Sequence, residues 1–432
     1  MKPIKKFNEE GYITYFRSEE KVMIPDKYMP KNEELRAVWF STVANIDIPK
    51  FTDIDSYKEY LLNVIKKVKE FNMNSIIFQV RPANDAFYKS DLNPWSSFIT
   101  GIQGKDPGFD IFEWFIEEAR KEGLTIHAWI NPYRVSLKKL PDLKMTKDEY
   151  LDTLADNNFA RLNKNLVIET VGGSLILDPA SIEVREFVSD SVLEIASNYD
   201  IKAVHIDDYF YPYEEIKDEN EELKFKKSGI KHLDDFRRNN VNMLIKHIHE
   251  KLESLPKKVE FGISPFGVYR TNSKYFENKE DKRAWEFGSN NDYSCYTCYQ
   301  GLYADVYYWM EKGYIDYVVP QVYFNFDYHR VLEDGSKKEI VKYADLAKWW
   351  DYICEKTGTK LYIGQGLYRV GSGEKSWNDP MEINNQLLFN QTLKNVKGTI
   401  FFTYHNLVDN DVVLNEARNN LKLLWFKQAK EI

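Results

Sequence analysis

Residues 203–212 read Ala-Val-His-Ile-Asp-Asp-Tyr-Phe-Tyr-Pro. The run Ala203-Val204-His205-Ile206 is short, apolar and β-branched, which predicts a strand buried on both faces. Strand alternation puts His205 and Asp207 on the same face, with Asp208 at the turn that leaves the strand. Buried parallel strands that finish in polar groups present their chemistry at the C-terminal edge of a sheet. How many such strands the chain holds decides the fold.

Working outward from that stretch, the spacing predicts eight strands. They cover Leu35–Val43, Ser75–Val80, Leu124–Ile130, Ala203–Asp207, Val259–Ser264, Ile315–Pro320, Lys360–Gly364 and Thr399–Thr403. Between them lie segments such as Ile111–Glu122 and Asp234–Leu252, apolar at every third and fourth residue, which predict amphipathic helices. Gly123, Gly313, Gly358 and Gly398 precede strands and are expected to end helices in the left-handed conformation. Eight strands in strict alternation with helices predict an α/β fold, a closed (β/α)8 TIM barrel. A doubly wound sheet would show a glycine-rich phosphate loop after its first strand, and Thr42-Val-Ala-Asn-Ile-Asp-Ile-Pro49 is not one. Residues 1–34 lack a clear period and are expected to form an N-terminal extension packed on the barrel, with residues 35–432 the catalytic barrel. The long gap between strands three and four predicts an excursion over residues 135–185.

Composition narrows the partners. A net charge of −8 over 432 residues argues against nucleic acid and against anionic membranes. Three cysteines, with Cys295 and Cys298 as a lone C-x-x-C, supply neither a disulfide framework nor a four-ligand zinc site. No metal and no cofactor is expected. No run of about 18 apolar residues occurs. The first residues show no signal-peptide pattern, so the chain reads as cytoplasmic if it is full length. No protein partner can be inferred.

The predicted strand ends are polar and aromatic throughout: Arg81 and Asp85; Asn131, Tyr133 and Arg134; Asp207, Asp208, Tyr209 and Tyr211; Ser264 and Phe266; Gln321, Tyr323 and Asn325; Gln365 and Tyr368; Tyr404. Such a rim describes a cup for a polar ring-shaped ligand, and a glycan is the expected partner. Adjacent Asp207 and Asp208 repel each other and titrate as a pair, leaving one general acid and one ionised partner. They are the expected catalytic residues. Arg81, Asp85, Asn131, Tyr133, Arg134, His205, Tyr209, Tyr211, Gln321, Tyr323, Asn325, Gln365 and Tyr404 are expected to bind substrate, His205 as a partner of Asp207. Arg81 or Arg134 is the expected partner of a substrate carboxylate. The fifth to eighth strands carry no Asp or Glu in the first turn beyond the sheet, apart from the more distant Asp327. The missing nucleophile points to the substrate's own N-acetyl oxygen, with Tyr323 donating to the acetamide carbonyl. Two other readings stay open: a two-carboxylate glycosidase that recruits Asp327, Asp178 or Asp85, and a glycan-binding barrel without turnover.

Seven segments resemble, in order, motifs of the family 10-like glycosyl hydrolases: ELRAVWFSTVANIDIP from Glu34, QVRPANDAFYKSDLNPWSSFITGIQGKDPGFD from Gln79, HAWINPYR from His127, HIDDYFYP from His205, GISPFGVYR from Gly262, YIDYVVPQVYF from Tyr314 and IGQGLYRV from Ile363. The resemblance implies a bacterial barrel enzyme, secreted or lipid-anchored, that hydrolyses an amino-sugar polymer, peptide-stripped peptidoglycan strands above all. The Asp pair is also similar to that of the O-GlcNAc hydrolases, and PQVYF is similar to a sixth-strand motif of the family 18 chitinases. Both of those families use substrate assistance.

Overall fold

The computed structural model describes residues 1–275 and 287–432. Eight parallel strands close into a barrel in sequential order: β1 (Leu35–Phe40), β2 (Ser75–Arg81), β3 (Thr125–Ile130), β4 (Ala203–Ile206), β5 (Glu260–Ile263), β6 (Tyr317–Val318), β7 (Lys360–Gly366) and β8 (Val396–Phe402). Each is followed by a helix: α1 (Ile54–Glu70), α2 (Ile111–Lys121), α3 (Ile182–Asn198), α4 (Leu233–Glu253), α5 (Val306–Glu311), α6 (Tyr343–Thr357), α7 (Glu382–Asn390) and α8 (Val412–Leu424). All eight expected strands are present, and the architecture is a (β/α)8 barrel.

Gly123, Gly313 and Gly358 take positive φ just past α2, α5 and α6, as helix-ending glycines do. Gly398 departs from the expectation. It lies inside β8, where a Cβ would come 2.2 Å from the Leu35 carbonyl oxygen, so its service is close approach of β8 to β1.

Strand alternation sorts the interior from the helix layer. Leu35, Ala37, Trp39, Ile77, Trp129, Ala203, Tyr317, Tyr362 and Ile400 pack into one cluster inside the barrel. Phe40, Phe78 and Phe115 stack outside it, joining strands to α2. The polar inward groups pair with each other. The Trp39 indole N–H donates to His205 Nε2 at 3.2 Å, and Ser264 Oγ lies 2.9 Å from the same nitrogen. An indole N–H can only donate, so His205 Nε2 is an acceptor and Nδ1 carries the proton. Nδ1 therefore donates to the Tyr317 hydroxyl at 3.2 Å, and that hydroxyl lies 2.8 Å from His127 Nδ1. His127 Nε2 lies 2.9 Å from Glu431 Oε1, a carboxylate to which it donates, at the base of the barrel. Burial, with His127 nearby, holds the His205 pKa well below the usual imidazole range, which agrees with a neutral ring.

Outside the barrel, residues 1–34 include an antiparallel pair, Lys2–Pro3 with Met23–Ile24. Their Ile4, Ile13, Phe16, Val22 and Ile24 are buried. The Phe16 N–H donates to Asp345 of α6 at 2.8 Å and the Met29 N–H to Gln391, just past α7, at 2.9 Å. Between β3 and α3 the chain forms three short helices and a hairpin, Val167–Glu169 with Leu175–Leu177. The Leu177 N–H donates to the Tyr133 carbonyl at 2.8 Å, which ties this hairpin to the barrel mouth. No helix among the described residues is long and apolar enough to cross a membrane.

The Tyr317 ring occupies space that Gly262 of β5 leaves open; a Cβ there would lie 1.9 Å from it. Gly262→Ala must push the ring away and break its hydroxyl's bonds to both histidines. The expected loss is about 3 kcal/mol in chemical denaturation, since overpacking and severed buried hydrogen bonds act together. A loss below about 0.5 kcal/mol, the range of a surface change, would show that the ring is not tightly held.

Candidate active site

The β4 strand delivers the acid pair because its parity is uninterrupted: Ala203, His205 and Asp207 point inward at rising height. Asp207 is 5% exposed and Asp208 7%. Asp207 accepts from the Trp129 indole N–H at 3.0 Å, from the Asn131 amide at 3.2 Å to each oxygen, and from the Tyr209 backbone N–H at 3.0 Å. Asp208 accepts from Gln321 Nε2 at 2.9 Å on one oxygen and from the Tyr213 hydroxyl on the other. Burial raises the pKa of both carboxyls, and for Asp207 the neighbouring Asp208 adds to the rise while Arg134 opposes it. Like charges side by side in a buried site leave one proton shared between two carboxyls over a wide pH range.

The pair opens onto a cavity of about 500 Å³. Trp39, Trp129, Tyr323, Tyr368 and Phe402 form one side of its lining, and Tyr209, Tyr213 and Phe266 another. Tyr323 meets Phe402 at 5.9 Å and Tyr368 at 5.7 Å between ring centroids. The Arg134 guanidinium lies 4.5 Å from the Tyr209 ring centroid. Aromatic faces around a few convergent polar groups are the makeup of a small-molecule site. Among the described residues, the carboxylates lining this cavity are Asp207 and Asp208.

Of the expected binding residues, Arg134, Tyr209, Gln321 and Tyr323 line this cavity with the acid pair. Asn131, Tyr133 and Tyr211 line an adjoining cavity of about 370 Å³, which shares Arg134, Tyr209 and Tyr213 with the first. His205 lies one layer below Asp207 and bonds to Trp39, Ser264 and Tyr317; the partners of Asp207 are Trp129, Asn131 and Tyr209 instead. Two residues of alternation separate the rings from the carboxylate, so His205 belongs to the interior network.

The others lie elsewhere for a reason of parity. A register shift in β2 between Gln79 and Arg81 pairs Arg81 with outward-facing Ile130, turning its side chain from the interior to the helix layer over Phe187. There the Arg81 guanidinium donates to Asn93, Asn84 and the Asn131 carbonyl, and so braces the residue that holds Asp207. Gln365 follows inward Gly364, and its amide donates to Gln386 of α7 at 2.8 Å. Asn325 donates to Glu374 at 2.7 Å, and the Tyr404 ring packs edge-on against outward Phe40. Asp85 is fully buried beside a separate cavity of about 800 Å³ and accepts from Gln103 at 3.2 Å. Asp178 pairs with Lys224, and Asp327 lies 3.7 Å from Lys6.

Several cavity residues escaped the strand-end reading, and Trp39, Gln79, Trp129 and Phe402 among them share one cause. Each sits on an inward position inside its strand rather than beyond it. Strand alternation taken back from Ser41 and Asn131 points to Trp39 and Trp129. Tyr213 escaped for another reason, since it lies in the turn after β4, where no periodicity applies.

Comparison with known proteins agrees with this architecture. The family described as glycosyl hydrolase-like 10 matches residues 34–381. The chain is 35% identical to glycosyl hydrolase YngK of Bacillus subtilis over 393 residues, covering 89% of this chain and 71% of that protein. It is 30% identical to glycosyl hydrolase DigH of Escherichia coli K12 over 396 residues, 88% of this chain and 84% of that one. Among solved structures, the glycoside hydrolase domain of PgaB from Bordetella bronchiseptica superposes with a TM-score of 0.52 at 9% identity, covering 90% of this chain and 99% of that one. An α-L-fucosidase from Paenibacillus thiaminolyticus gives 0.52 at 11% identity, over 92% of this chain and 50% of that one. These two likenesses speak to the barrel. The sequence matches speak to descent, and they show that this chain is a barrel glycoside hydrolase belonging to the glycosyl hydrolase-like 10 family.

Proposed function

We propose that the chain hydrolyses N-acetylhexosamine glycans, with peptide-stripped peptidoglycan strands as substrate, and that the acetamide of the bound sugar is the nucleophile. One observation carries the reading. The described carboxylates of the cavity are two neighbours on one strand, held by separate donor sets, with aromatic walls around them. Neighbours on one strand cannot flank a glycosidic bond from opposite faces, as a two-carboxylate mechanism requires.

Asp207 suits the ionised role. Its three donor groups stabilise the carboxylate, and an acetamide N–H would add to them as a further donor. Asp208 accepts from only two donors, which leaves it room to carry the proton and suits the proton donor; burial raises both carboxyls and does not separate them. The acetamide oxygen attacks the anomeric carbon as the glycosidic C–O bond breaks, and Asp208 gives its proton to the departing oxygen. Water then adds to the anomeric carbon, its proton returning to Asp208, and the acetamide reopens. Arg134, between the two adjoining cavities, is placed to pair with a lactyl carboxylate of the glycan.

The direct test is digestion of peptide-free peptidoglycan strands, with the new reducing ends read by mass spectrometry. Wild type is expected to release fragments, and Asp208→Asn to bind strands but cleave at least about 100-fold more slowly, the share of general acid catalysis. Intact strands after digestion by wild type, or full turnover by the variant, would falsify the assignment. A thiazoline mimic of the cyclised acetamide should inhibit far more tightly than the sugar itself resembles substrate; no inhibition would favour a carboxylate nucleophile. The Tyr213 hydroxyl bonds to the ionised form of Asp208 and so lowers its pKa. Tyr213→Phe removes that bond, the acid keeps its proton to higher pH, and the alkaline limb of kcat/KM should move up by about 1 pH unit. A limb that stays put or moves down would contradict Asp208 as the donor.

A further inference from the structure

We infer that the Gln79 carboxamide is a substrate-positioning donor, binding through Nε2 an oxygen of the sugar held beside Asp207 and Asp208. The inference rests on the glycan reading above and names a residue of the same site.

Gln79 is fully buried on an inward position of β2 and lines the cavity. Its Oε1 lies 2.9 Å from the Val43 backbone nitrogen, 3.1 Å from that of Thr42 and 3.3 Å from Ser41 Oγ. Backbone N–H groups can only donate, so the oxygen of the amide must face them and the NH2 must face away. The opposite orientation would set donors against donors. The side chain is further braced because the Gln79 carbonyl accepts from Thr42 Oγ1 at 2.8 Å. The nitrogen so aimed has no hydrogen-bond partner.

A buried amide donor left unpaired costs about 1–3 kcal/mol. Its cross-strand neighbour is Trp129, whose indole N–H can only donate and already donates to Asp207, so it cannot accept from Nε2. With no acceptor of the protein in reach, a sugar hydroxyl or acyl oxygen in the cavity would supply the missing partner. A donor held by three bonds on its own oxygen does not reorganise when substrate enters, which is the condition for holding a ring in one pose. Nε2 offers only hydrogens, so the group recognised is an acceptor oxygen and not an ammonium or an N–H.

The test compares wild type with Gln79→Glu, using N-acetylglucosamine oligosaccharides and analogues that each lack one oxygen substituent. Glutamate keeps the acceptor that Ser41, Thr42 and Val43 require and turns the donor face into an acceptor. The expected result is an unfolding temperature within a few degrees of wild type and kcat/KM lower by about 100-fold, as sites built to bond a substrate oxygen show. One deoxy analogue should be discriminated by wild type and not by the variant. Gln79→Met, which removes the donor without adding charge, should lose the same discrimination and serves if the glutamate variant does not fold. Near-native kcat/KM in a folded variant, or an equal loss on every analogue, overturns the inference alone. If wild type cleaves only oligosaccharides that lack an acetamido group, the amino-sugar reading falls and the same comparison on those substrates still tests Gln79. Wild type that neither binds nor cleaves any of them overturns both.

Discussion

A closed eight-stranded barrel has an interior that bulk water does not reach, so each polar inward side chain must find its partner among the other inward side chains. Tyr317 meets this constraint most directly. Its hydroxyl accepts from His205 and bonds to His127, linking β3, β4 and β6 across the axis, and Gly262 leaves room for its ring. The bonds from Trp39 through His205 to Tyr317 have a single direction, set by an indole N–H that cannot accept, and His127 carries the network on to Glu431. Nothing in it is left to titrate near neutral pH at His205, whose proton is already placed.

The acid pair exists on top of this network and by contrast with it. One layer higher the interior opens to the cavity, and the polar groups there are only partly satisfied from within. Asp207 is held by Trp129, Asn131 and a backbone amide, and Arg81, though outside the cavity, steadies Asn131 through its carbonyl. Burial raises both carboxyls, so the pair keeps a proton where exposed aspartates would have lost theirs. Gln79, two strands away on β2, is the counterpart, its oxygen fully engaged and its nitrogen left over. Rigid support below and unfinished hydrogen bonding above are what a polar ligand requires of its site.

The structure divides the strand-end residues between the cavity and other surroundings. Arg134, Tyr209, Gln321 and Tyr323 reach the cavity, as read. Gln365 and Tyr404 turn to the helix layer, Asn325 turns to Glu374 in the loop before α7, and Arg81 leaves the interior because a shift of register in β2 reverses its face. A bulge of that kind leaves no mark on residue type, so alternation counted on the sequence continues through it unaware. His205 lies on the expected inward face, but its bonds go to Trp39, Ser264 and Tyr317 on other strands, partners that residue pattern does not reveal.

The order of short apolar strands and amphipathic helices, and the two carboxylates at the end of β4, follow from residue pattern alone: burial on both faces demands continuous apolar strands, and a period of two is local. Whether a polar residue near a strand end enters the cavity or the helix layer is not local. It depends on stagger, on bulges and on which partner across the barrel completes each hydrogen bond. Those were decided only when eight strands closed around a shared interior, which is why Asp207 could be read from ten residues and the free nitrogen of Gln79 could not.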